Sequence, residues 1–246
     1  MKHISLVLAA AALAAVFHPA SADSPAVTPL AGTPDLEITA TRARHIDALD
    51  LVVFEIDVAG AAGATVPESR GRMDGAPVLA YVFATTLDPQ AVGFGPVEGT
   101  LALVATSHPD FDDTPLWDES GDGNYDNDGA VYHSHWVVLT PDDRVPGGLA
   151  VKEFAHGADV ILPPTNPGMH MYMDSPGHSV VLRDHTLRVL VPAWRIRHQL
   201  EFRFDAVTAY LEVNTSDEDR PMLGVYEVYG VASGDLSLPY TIDRED

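Results

Sequence analysis

The chain has no cysteine in its 246 residues. Disulfides and thiolate metal sites are therefore both excluded, and any transition metal must be held by His, carboxylate or Met. Lysine is almost missing too, with Lys2 and Lys152 its sole examples. Fourteen basic residues stand against 36 acidic ones, for a formal net charge of −22 at pH 7. A surface of this sign repels nucleic acid and anionic membranes and favours cations, although it serves solubility equally well. No nucleic-acid partner is expected. Long apolar runs are lacking as well: residues 4–16 fall short of the roughly 20 residues a membrane helix needs, so no membrane insertion is expected. There is no G-x-S-x-G elbow, no phosphate-binding glycine loop and no dinucleotide fingerprint in a strand–helix setting. Nucleophilic catalysis gains no support, and the chain reads as more suited to binding than to catalysis.

What is present begins with an export pattern. Lys2, the apolar run and Ala20-Ser21-Ala22 together read as a signal peptide over residues 1–22, cleaved near Ala22. The expected product is periplasmic or secreted. Residues 23–34, rich in Pro, Ala, Ser and Thr, read as a flexible lead-in. Residues 35–246 then form one domain, and a composition that is 46% hydrophobic can furnish its core.

No segment sustains a 3.6-residue apolar period, and turn signals recur at short intervals. Strands are predicted over residues 36–41, 51–58, 77–86, 99–106, 132–140, 149–154, 159–162, 179–183, 186–192, 202–204, 207–213 and 223–231. One helical turn is predicted at residues 88–92, with Asp88 as N-cap and Pro89 in first position. The pattern predicts an all-β, antiparallel β-sandwich, immunoglobulin-like or jelly-roll-like, with helical turns only.

Two stretches carry candidate chemistry. In residues 118–138, Asp118, Ser120, Asp122, Asn124, Asp126 and Asp128 alternate around glycines like the start of an EF-hand-type calcium loop. Gly129 stands where a bidentate Glu belongs, and the alternative is a solvated acidic turn. Immediately beyond, His133 and His135 sit two apart on a predicted strand, so both imidazoles leave the same face. That spacing suits zinc or copper. The string Tyr132-His133-Ser134-His135-Trp136 is similar to the zinc strand of α-type carbonic anhydrases over five residues. That family's downstream third-histidine strand is not found, so the resemblance carries no activity.

The second stretch, residues 167–180, places Met169, Met171 and Met173 on one strand face and His170 and Asp174 on the other. Thioethers suit Cu(I), while three methionines on one face also serve as core filler. The stretch resembles exported copper-handling proteins in residue types. His178 or His170, with Asp174, would complete a shell begun by His133 and His135. His108 reads as part of a surface His–carboxylate turn, or else as a third site element.

The expectation is an exported transition-metal protein for binding, storage or delivery. Zinc is the leading metal, copper the alternative and calcium an addition in the acidic loop. Its partners would be metal ions and a metal transporter or client metalloprotein. Two other classes stay open. One is a metal-dependent hydrolase or lyase; the other is a calcium-stabilised adhesion or carbohydrate-binding module with Trp117 and Trp136 as stacking platforms.

Overall fold

A computed structural model describes residues 30–111, 123 and 129–245. The predicted signal peptide, most of the lead-in, Trp117 and the acidic residues Asp118, Ser120, Asp122, Asn124, Asp126 and Asp128 lie outside the described residues.

The strands are β1 (Ile38–Ile46), β2 (Leu51–Val58), β3 (Pro77–Thr85), β4 (Thr100–Ser107), β5 (His133–Pro141), β6 (Leu149–Val151), β7 (Met173–Asp174), β8 (Ser179–Arg183), β9 (Thr186–Pro192), β10 (Arg203–Val213), β11 (Leu223–Val231) and β12 (Tyr240–Glu245). Helix is confined to short 3-10 turns among the described residues. One of them, Pro89–Val92, is capped as predicted: the Gln90 amide donates to Asp88 Oδ1 at 2.8 Å. Residues 159–162 form no strand, and β12 is an element the sequence patterns did not reveal. Val160 bonds back to the Ala158 carbonyl, two residues away, instead of entering a ladder.

The prediction of an all-β, largely antiparallel fold holds; the sandwich does not describe it well. Strands β6, β5, β4, β3 and β10 pair in that order, and β11 joins β10 to β6, closing a six-stranded barrel. The remaining strands β12, β1, β2, β9 and β8 make a second layer, with β12 parallel to β1 and also paired to β10. This layer covers one outer side of the barrel wall.

The double covering explains why β3 is buried at every position and reads as an unbroken apolar run. Its Leu79, Tyr81 and Phe83 face outward into a core shared with Phe54 and Ile56 of β2 and Val189 of β9. Phe54 meets Phe83 at a ring separation of 5.2 Å and Phe204 edge-on at 6.2 Å. The alternate residues Val78, Ala80 and Val82 face the lumen, with Val104, Val137, Ala209 and Leu211 from the other staves. Two cores therefore share one wall. The sides of β5 divide in the same way: Trp136 and Val138 belong to the layered core, while Val137 faces the lumen.

Candidate metal centre

His133 and His135 open β5, and strand alternation sends both rings to the lumen side. On β4, Thr106 pairs with His133 and Val104 with His135. Continuing the alternation 104, 106, 108 past the end of β4 delivers His108 to the same spot. The three rings are buried, with exposures of 2% for His108, 1% for His133 and 2% for His135. One ring nitrogen from each lies within 4.8 Å of the other two.

The outer nitrogens determine what the inner ones can do. His108 Nδ1 lies 2.9 Å from the Phe111 carbonyl, and His133 Nδ1 lies 2.7 Å from the Val131 carbonyl. A carbonyl only accepts, so both Nδ1 atoms carry the proton. In neutral rings both Nε2 atoms then present lone pairs, yet they lie 2.7 Å apart. Two lone pairs at that distance repel unless a proton or a metal cation lies between them. His135 Nδ1 is 3.0 Å from Ser175 Oγ, which can accept in the same fashion. Nδ1–H held by an oxygen, with Nε2 directed inward, is the arrangement that orients imidazole ligands in metal sites. A tetrahedral zinc site needs ligand nitrogens about 3.3 Å apart, wider than the closest approach here and inside the 4.8 Å limit of the cluster.

The loop after β4 is built to hold His108. Asp110 Oδ1 accepts from Ser69 Oγ at 2.7 Å and from the Arg70 and Gly71 amides at 2.7 and 2.6 Å. The Phe111 ring stacks on His108 at 4.3 Å. The His108 amide donates to the Gly129 carbonyl at 2.6 Å. Gly129 has φ +96°, and a Cβ there would lie 2.4 Å from the carbonyl oxygens of both His108 and Phe111. Glycine is required for this close approach.

The structure brings together His133, His135 and His108, and separates the other predicted ligands from them. His178 lies across β5: its Nε2 accepts from Trp136 Nε1 at 3.2 Å, and its carbonyl accepts from Ser134 Oγ at 3.0 Å. Burial, with a smaller contribution from Arg195, pushes its pKa down to about 4. Asp174 pairs with Trp136 in register and so shares that opposite side. Its Oδ1 accepts from Thr165 Oγ1 at 2.6 Å, while its Oδ2 is buried with no hydrogen-bond partner among the described residues. Burial outweighs the Thr165 bond and the nearby Arg195, raising its pKa above the ordinary carboxylate value. The His170 ring lies tilted against His156 at 4.7 Å and edge-on to Phe154 at 5.9 Å. The methionines do share a face: Met171 and Met173 are buried in the lumen core and Met169 packs against it. Trp136 is 1% exposed, which removes it as a stacking platform.

His108 is the member that sequence reasoning did not select, since its Asp-rich surroundings resemble a surface turn. The available signal was the strand ladder, which puts residue 108 in phase with 104 and 106.

Compared with protein-family models, curated proteins and solved structures, the chain matches none.

Proposed function

We propose that the protein is an exported transition-metal protein whose resident ion is held by His108, His133 and His135. Zinc is the first candidate and copper the second. The observation that carries this reading is the 2.7 Å approach of two Nε2 atoms whose Nδ1 partners are both carbonyls. A cation between them relieves that repulsion, and three imidazoles suit zinc and copper alike. Burial of all three rings favours a resident centre over a rapidly exchanging store. Copper draws its support from Met169 and Met173, which line the same lumen as His135. Export from the cell and exchange with a transporter or client metalloprotein remain part of this proposal, resting on the N-terminal pattern and on the chemistry of the metal.

A second reading is a metal-dependent hydrolase or lyase. It is favoured because the donors found among the described residues number three and two of their side chains, His108 and His135, face a large lumen. When bound by three protein ligands, zinc supplies Lewis acidity at a fourth position. The residues of this chain would then orient the ion and exclude bulk water from it.

The test is elemental analysis of protein purified without chelators, for the wild type and for His108→Ala, His133→Ala, His135→Ala and His178→Gln. We expect about one equivalent of zinc or copper in the wild type and in His178→Gln, as a single three-ligand site predicts. Each triad variant should lose most of it. Metal content unchanged in the triad variants, or none bound after titration with Zn²⁺ and Cu⁺, contradicts the assignment.

A further inference from the structure

The barrel lumen is larger than a six-stranded barrel requires. Eight strands already give an interior that side chains can just fill. Here the inward positions are mostly small or β-branched, including Ala84, Val104, Val137 and Ala209, and a cavity of about 1030 Å³ runs between the walls. That is at the upper end of the range for small-molecule sites. From Val213 to Val207 it follows seven residues of β10, roughly 20 Å of strand.

Polar side chains along the cavity are segregated. Among the described residues, the middle is walled by Val82, Val104, Val137, Val207, Ala209 and Leu211. His108, His135 and Thr106 stand at one end, all of them buried. The other end carries Thr86, Arg203, Asp235 and Ser237, all exposed. The interior therefore has a wet mouth, an apolar shaft and a histidine floor.

The segment at the mouth is unusual in its backbone. Leu236 and Leu238 both line the cavity, with φ +55° and +53°. Leucine rarely adopts the left-handed region, and two instances within three residues cost free energy that the surroundings must offset. The conformation turns two apolar side chains toward the shaft at the end where solvent would otherwise meet it.

We propose that the lumen binds an elongated apolar molecule that ends in a single carboxylate, with the chain in the shaft and the carboxylate at the metal. This deepens the metal-centre reading and rests on it. The shaft selects the chain by burying its surface, at roughly 25 cal/mol for each Å² removed from water. The floor selects the head group by charge. Three imidazoles are neutral ligands and would leave a zinc ion its double positive charge, which in an apolar setting attracts an anionic donor strongly. A ligand charged along its length would lose hydration in the shaft without compensation. Arg203, Asp235 and Ser237 at the mouth can tolerate a polar tail but do not require one.

The test uses full-length protein and decanoate as the probe, with calorimetric titration and zinc content measured on the same samples. The variants are Ala84→Phe, which fills the shaft on β3 two residues from Thr86 at the mouth, and His133→Ala/His135→Ala, which removes the floor. A second shaft variant, Val82→Phe, guards against a folding failure in the first. Zinc-loaded wild type should bind decanoate, and decanol at least tenfold more weakly. Either shaft variant should keep its zinc and lose at least tenfold in decanoate affinity. Zinc-loaded wild type that fails to bind decanoate, or folded shaft variants that bind as wild type does, would overturn the proposal and leave the metal reading standing. Wild type that takes up no zinc after loading, and binds decanoate no more tightly than the double histidine variant, would overturn both the metal reading and the head-group assignment.

Discussion

At the scale of single residues, the two sides of β5 treat histidine in opposite ways. His133 and His135 lie against other nitrogens and oxygens, whereas His178 is enclosed against the Trp136 indole and accepts its N–H at 3.2 Å. Keeping His178 neutral is part of the layered core's stability. Its pKa falls from the unfolded value near 6.5 to about 4 on folding. The unfolded chain therefore binds a proton between these values that the folded chain refuses. The stabilisation is complete above about pH 6.5 and disappears as pH falls toward 4, amounting to about 3 kcal/mol across the window. Urea denaturation of His178→Gln, followed from pH 7 to 4, should show a correspondingly shallower decline than the wild type. Equal slopes would mean that His178 is not held neutral by the fold.

At the scale of elements, β1, β2 and β9 are strapped together by one carboxylate. Glu55 on β2 pairs in register with Arg42 of β1 and Arg188 of β9. Its side chain is 1% exposed and receives Arg44 and Arg188 at 2.8 Å each, together with Arg42. Burial opposes its ionisation, but the Arg44, Arg188 and Arg42 guanidiniums outweigh that and hold its pKa below the ordinary glutamate value. Glu55→Ala would leave three cations facing one another in the sheet and should cost about 3 kcal/mol by denaturant titration. A loss below about 1 kcal/mol would show that the arginines find solvent without it.

The same scale explains what could be read in advance. Strands β2, β8, β9 and β11 were legible because each carries its own apolar pattern between turn residues. Barrel closure was not, since it depends on β10 pairing with β11 and on a single register pair between Gly224 of β11 and Ala150 of β6. Neither leaves a local mark. The unbroken apolar run of β3 was the one hint, because it implied cover on both faces. His133 and His135 were legible from a period of two. His108 stands 25 residues earlier than His133 and joins it only through the β4–β5 ladder. His178 misled for the converse reason: closeness to a Met- and His-rich stretch says nothing about which face of β5 that stretch covers.

At the scale of the whole molecule, a closed barrel carries a histidine cluster at one end of its lumen, and a second sheet stiffens the wall that holds it. The formal charge of −22 gives the exterior a cation-attracting field, while the cluster itself is buried. The decisive point is whether a metal occupies that one place. The direct measurement is anomalous diffraction at the zinc and copper edges, from crystals of protein purified without chelators. One strong peak is expected about 2.0–2.1 Å from Nε2 of His108, His133 and His135. A peak at His178, Asp174 or His170 instead, or none among the three histidines after soaking with both metals, would contradict it.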